Sequence, residues 1–184
     1  MVEGRALGLG GVMEFRPARF GDERGFFSET YNAAALAEHG IDLVFVQDNH
    51  SYSAQQGVVR GLHYQLPPFA QDKLLRVTRG AIFDVAVDIR RSSPSFGKWV
   101  GLKVSASEWN QILIPAGFAH GFLTLEPNTE VIYKVTALYS KAHDRAIRFD
   151  DPAIGIEWPA DISNVQLSAK DAAAPLLAAA DVFD

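Results

Sequence analysis

The stretch Gly57-Val-Val-Arg-Gly-Leu-His-Tyr-Gln65 reads as a β-strand, with Val59, Gly61, His63 and Gln65 on one face and Val58, Arg60, Leu62 and Tyr64 on the other. An imidazole on the inward row, three residues after an arginine, is an unusual core residue. Histidine exchanges protons readily near neutral pH. Two readings stand at this point: a satisfied core or rim histidine, or an acid–base group. If the strand is regular, Arg60 and His63 face opposite ways. For both to reach one ligand, the strand must twist or bulge near Gly61.

Working outward, short alternating runs recur between turn signals: Val12–Arg16, Phe26–Thr30, Leu43–Gln47, Leu74–Thr78, Ala81–Ile89, Trp99–Val104, Gln111–Ile114, Gly121–Leu125 and Glu130–Ala137. Asp48-Asn-His-Ser51 reads as a polar exit from the Leu43–Gln47 strand. Asn32 is placed to cap a short helix from Ala33 to Glu38, ended by Gly40. Ser168-Ala-Lys-Asp171 precedes an alanine-rich segment, Ala172–Ala180, that predicts a terminal helix with Pro175 in its first turn. Eight or more such strands predict an all-β fold, a jelly-roll β-barrel with short peripheral helices and a C-terminal helix. The 184 residues are expected to form a single domain, 1–184.

Composition narrows the function. The chain is 48% hydrophobic and 21% charged, which is globular, and its net charge of -5 argues against a nucleic-acid partner. It has no cysteine, which removes disulfide, thiolate-zinc and cysteine-nucleophile chemistry. Met1–Gly11 has no long apolar run and does not read as a signal peptide, and no stretch reaches a membrane span, so a cytoplasmic location is expected.

Ile114-Pro-Ala-Gly-Phe-Ala-His-Gly-Phe122 has the Pro-x-Gly turn and following histidine common in cupin barrels. Metal-binding cupins use an H-x-H pair, and the five histidines here (His39, His50, His63, His120 and His143) contain none. A metal-free site is therefore expected; no cofactor is expected either. Arg60, His63, Lys73, Asp84, Asp88, His120, Tyr133 and Lys134 are interspersed among apolar strand positions. Each alone has a plain structural explanation as a rim, turn or surface residue.

Together they carry a resemblance. Phe20-Gly-Asp-Glu-Arg-Gly-Phe-Phe27, Gln47-Asp-Asn-His-Ser51, Arg60-Gly-Leu-His-Tyr-Gln65, Phe83-Asp-Val-Ala-Val-Asp-Ile-Arg90, Ser93-Pro-Ser-Phe-Gly-Lys-Trp99, the Ile114–Phe122 segment, Tyr133-Lys134 and Asp151-Pro-Ala-Ile-Gly-Ile-Glu-Trp-Pro159 resemble, in order, the dTDP-4-dehydrorhamnose 3,5-epimerase family. The resemblance runs from about residue 15 to residue 175.

It implies a metal-free cupin fold working as a homodimer. The implied reaction is isomerisation of dTDP-4-dehydro-6-deoxy-D-glucose to dTDP-4-dehydro-L-rhamnose, in dTDP-L-rhamnose biosynthesis. Both reacting carbons flank the ketone, so proton removal gives an enolate, and reprotonation from the other face inverts the centre. The match implies His63 as base, Asp171 as its orienting carboxylate, Tyr133 as acid and Lys73 as the cation at the ketone oxygen. It further implies Arg24, Glu29, Gln47, Asp48, Asn49, Arg60, His120, Tyr139, Asp144 and Lys170 as substrate-binding, with Arg24 and Glu29 supplied by the partner subunit. Asp144 stands where glutamate is usual, one methylene shorter. Three alternatives remain open here: an epimerase acting at C3 or C5 alone, a non-catalytic sugar-nucleotide-binding cupin, and a metal-dependent cupin.

Overall fold

The computed structural model describes residues 2–184, so Met1 of the N-terminal stretch lies outside them. Thirteen strands dominate the described residues. They are β1 (Val2–Ala6), β2 (Met13–Pro17), β3 (Phe20–Asp22), β4 (Gly25–Phe27), β5 (Gln47–Ser53), β6 (Val59–Gln65), β7 (Lys73–Arg79), β8 (Ala81–Asp88), β9 (Trp99–Ser105), β10 (Gln111–Ile114), β11 (Phe118–Thr124), β12 (Thr129–Val135) and β13 (Asp144–Ala146). Six strands form one sheet in the order β1-β2-β10-β7-β12-β5, and five form a second in the order β13-β6-β11-β8-β9. The two sheets face each other without closing, and β3 and β4 form a separate hairpin. This is the expected all-β jelly-roll architecture, open rather than a sealed barrel.

The pattern of apolar residues explains the layering. Leu75, Val77, Ile112, Ile114 and Val131 from the six-stranded sheet meet Ile82, Ala86, Val104, Phe118 and Phe122 from the five-stranded sheet in one core. β8 and β11 are central strands covered on both faces, and so read as nearly continuous apolar runs. The outer face of the five-stranded sheet (Leu62, Tyr64, Val85 and Val87) is covered by Ile154, Leu177, Ala180 and Val182 of the C-terminal segment. The outer face of the six-stranded sheet carries Phe15, Leu74 and Leu113, packed against Leu36 of α1 (Ala33–Ala37). Asn32 caps α1, its side chain accepting from the Ala35 N–H, as expected.

Three expectations are corrected. Leu43–Val46 is not a strand; the strand is Gln47–Ser53 itself. β5 is an edge strand paired only to β12, so its polar residues fill both of its faces, while Leu43 and Phe45 pack on the outer-face cluster instead. Phe26–Thr30 shrinks to the three-residue β4. The Ala172–Ala180 helix is replaced by α2 (Ala169–Ala172) and a 3-10 turn at Leu177–Ala179. Pro175 cannot donate to a continued helix, and the backbone beyond it is claimed elsewhere. Buried Asp151 accepts from the Leu177 N–H at 2.6 Å, and the Arg148 N–H donates to the Pro175 carbonyl at 2.9 Å.

Candidate active site

β6 contains the irregularity that its sequence demanded. His63 pairs with His120 and Arg60 with Phe122, so Gly61 and Leu62 together oppose the single residue Gly121. This two-against-one arrangement is a β-bulge. It lets Arg60 and His63 face the same cavity while Leu62 turns into the outer cluster. Gly61 is required there: its φ is +133°, and a Cβ would meet the backbone of Gly121 and the His120 carbonyl.

The cavity, about 450 Å³, opens between the two sheets. Eleven of the fourteen expected residues line it: Gln47, Asn49, Arg60, His63, Lys73, His120, Tyr133, Tyr139, Asp144, Lys170 and Asp171. Alternation along β5 sends Gln47, Asn49 and Ser51 inward, whereas Asp48 lies on the other face, held by Lys134 at 2.9 Å. Asp48 and Glu29 line a neighbouring cavity of about 380 Å³. Arg24 reaches neither; it is 90% exposed in the β3–β4 turn and paired to Asp22.

His63 Nε2 lies 2.5 Å from Oδ1 of buried Asp171. Ser168, the N-cap of α2, accepts from the Asp171 N–H and fixes that carboxylate's backbone. Burial alone would raise the Asp171 carboxyl, but the hydrogen bond and charge of His63, with Lys170 nearby, bring it below its usual value. Asp171 is thus a carboxylate, and the ring donates to it through Nε2–H, which leaves Nδ1 as the free ring acceptor.

Lys73 is buried at the start of β7, its ammonium donating to the His63 carbonyl at 3.3 Å. Burial lowers it to about 8, against the opposing pull of Asp84 and Asp144. Tyr133 enters from β12, in the same sheet as Lys73 and opposite the sheet that carries His63. Burial pushes its phenol up, so it remains a proton donor across the neutral range. His120 is buried on β11, with Nε2 2.8 Å from Asp84 Oδ2, and burial pushes its imidazole down toward the neutral form.

At the cavity mouth Tyr139 is 59% exposed, a ring face open for stacking. Its hydroxyl donates to Asp144 at 3.3 Å, and Lys170 pairs with the same carboxylate at 2.5 Å. Sequence reasoning missed Ser51, Gln65 and Ser168. Gln65 was on the inward row with His63, a signal that was available. Its Oε1 accepts from the Ser140 N–H at 2.6 Å and its amide donates to the Leu138 carbonyl, so it holds the loop that presents Tyr139. Ser51 Oγ, in the cavity wall, and Asp84 Oδ1 are buried without a protein partner among the described residues. Such orphans mark a place where a polar ligand or water completes the structure. Among the described residues no group of three or more histidine or acidic side chains is arranged to hold a metal ion.

Comparisons with known proteins give the chain its family. Residues 6–179 match the family model described as dTDP-4-dehydrorhamnose 3,5-epimerase. The protein of that name from Sinorhizobium fredii is 53% identical over 173 residues, 94% of this chain and 88% of the relative. The crystal structure of dTDP-6-deoxy-D-glucose-3,5-epimerase from Legionella pneumophila, in complex with dTDP-4-keto-L-rhamnose, is 45% identical, covers 98% of this chain and 95% of its own, and superposes with a TM-score of 0.93. A 3'-monoepimerase from Streptomyces bikiniensis, in complex with dTDP-quinovose, is 33% identical, covers 94% and 86%, and has a TM-score of 0.86. The chain belongs to the dTDP-4-dehydrorhamnose 3,5-epimerase family.

Proposed function

We propose that this protein is an isomerase that epimerises dTDP-4-dehydro-6-deoxy-D-glucose at C3 and C5 to dTDP-4-dehydro-L-rhamnose, the corresponding step of dTDP-L-rhamnose biosynthesis. The observation that carries this reading is the His63–Asp171 pair on one wall of a cavity whose other sheet supplies Tyr133.

In the D-gluco chair the hydrogens at C3 and C5 are axial on one face, so a single base can remove either. His63 Nδ1 takes the proton, and the carbon's electron pair passes into the C4 enolate. The Lys73 ammonium stabilises the developing oxyanion, and Tyr133 returns a proton from the opposite face. Asp171 fixes the tautomer and stabilises the imidazolium. Each inversion leaves His63 protonated and Tyr133 deprotonated; proton exchange with solvent resets both, and no electron is gained or lost, so the chemistry requires no oxidant or reductant.

Arg60 and Lys170 supply cations for the diphosphate, and Tyr139 supplies the stacking surface for the thymine. Gln47 and Asn49 face the nucleoside, and His120 faces the sugar. Asp144, though shorter than glutamate, already engages Tyr139 and Lys170. The position of Arg24, far from this chain's cavity, supports a homodimer in which Arg24 and Glu29 act on the partner's site, with Asp48 near that junction. Exposed Phe20 (61%), Phe27 (71%) and Val44 (76%) provide apolar surface for such an interface. On this reading the whole chain acts as one catalytic domain, and a nucleotide-sugar substrate supports a cytoplasmic location. No helix among the described residues is long and apolar enough to cross a membrane.

The test is direct. Purified protein given dTDP-4-dehydro-6-deoxy-D-glucose should yield the L-configured 4-keto sugar, read from ring couplings by NMR. An unchanged ring contradicts the assignment.

A further inference from the structure

Asp84 is fully buried in the middle of β8, where a carboxylate is costly unless it serves its neighbours. Its Oδ2 accepts from His120 Nε2 at 2.8 Å, while its Oδ1 has no protein partner among the described residues. The buried Lys73 ammonium lines the same cavity as His120; it donates to the His63 carbonyl at 3.3 Å and makes no direct ion pair with Asp84. The charged groups facing Lys73 come from several elements: Asp84 on β8, Asp144 on β13 and Lys170 on α2, with His63 on β6 and His120 on β11 beside them. Of the two carboxylates, Asp84 is the fully buried one and opposes the loss of the Lys73 charge most strongly. In a site of low dielectric its pull on a nearby cation is far stronger than it would be in water.

We infer that Asp84 is a positioning residue that serves both walls of the sugar site, holding Lys73 as a cation and fixing His120 as the Nε2–H tautomer. The inference rests on the epimerase reading above and deepens it. With Nε2–H committed to Asp84, His120 presents Nδ1 as an acceptor, suited to a sugar hydroxyl. Lys73, held charged by the same carboxylate, presents its spare protons to the ketone oxygen. One buried carboxylate thus sets an acceptor and a donor for adjacent oxygens of the same ring. Asp84 touches neither oxygen and acts through the two side chains.

The test is Asp84→Asn, which keeps the shape and removes the charge. The pH profile of kcat/KM should lose its basic side earlier, by about half a unit, so the deficit deepens about twofold between pH 6 and pH 8 and approaches about threefold at higher pH. Two readouts on the ligand-free protein need no turnover. Nitrogen-15 NMR should show the His120 Nε2–H tautomer in the wild type and a mixed or inverted population in the variant. The Lys73 ammonium should titrate at lower pH in the variant. A pH-independent loss, with His120 tautomer and Lys73 titration unchanged, overturns the inference and leaves Asp84 a packing residue. If the wild type fails to epimerise but the two NMR readouts shift as expected, the catalytic reading fails while the electrostatic link stands.

Discussion

His63 and Asp171 are 108 residues apart in the chain and meet at 2.5 Å through Nε2 and Oδ1. The strand supplies the ring and the last α-helix supplies the carboxylate, so the base is assembled only when the C-terminal segment docks on the five-stranded sheet.

The first prediction concerns that pair. His63→Ala should lower turnover by at least about 10²-fold, the lower end of general acid–base contributions. Asp171→Asn should lower kcat with little change in KM, because the carboxylate acts on the ring rather than on the ligand. Near-normal turnover in His63→Ala removes it from the mechanism.

Tyr133→Phe separates acid from base. Proton removal at C5 should persist, because His63 is intact, while inverted product falls away. Isotope wash-in measured beside product yield should show the two diverging; equal loss of both argues against Tyr133 as a distinct acid.

Lys73 predicts a pH dependence with a definite sign. It is charged below about 8, so kcat/KM should fall as pH rises through that value. Stability runs the other way. The folded pKa lies below the unfolded value of 10.5, so burying the charge costs stability at low pH, and that cost fades between about 8 and 10.5. Lys73→Met should therefore melt higher than wild type at pH 7 while turnover drops on the order of 10²-fold. A lower melting temperature in that variant contradicts the buried-cation description.

Gly61→Ala tests the bulge. The positive φ and the approach of Gly121 predict a loss of about 1–3 kcal/mol in unfolding free energy. Activity should fall as well, since Arg60 and His63 share the cavity only through this kink. A variant as stable and active as wild type would mean the bulge is dispensable.

Much of the site was legible because it lies on strands. The inward row of β6, the polar positions of β12 and the histidine after the Pro-x-Gly turn all sit where alternation or turn chemistry exposes them. The need for a bulge was legible too, from the odd spacing of Arg60 and His63. Asp171 was not legible from periodicity, because its partner lies 108 residues away; it came from family resemblance. The terminal helix was misread because alanine content signals local propensity, whereas Asp151 and Arg148 impose a tertiary path on residues 175–177. Family resemblance groups Asp48 with Gln47 and Asn49, and strand alternation puts it on the opposite face.

The central claim is that one base, opposed by one acid, works at two carbons beside the ketone. Incubation with dTDP-4-dehydro-6-deoxy-D-glucose in deuterated water, followed by NMR at C3 and C5, tests it most directly. Deuterium at both carbons, with inversion at both, is the expected result; deuterium at only one carbon identifies a single-centre epimerase, and deuterium at neither contradicts the mechanism altogether.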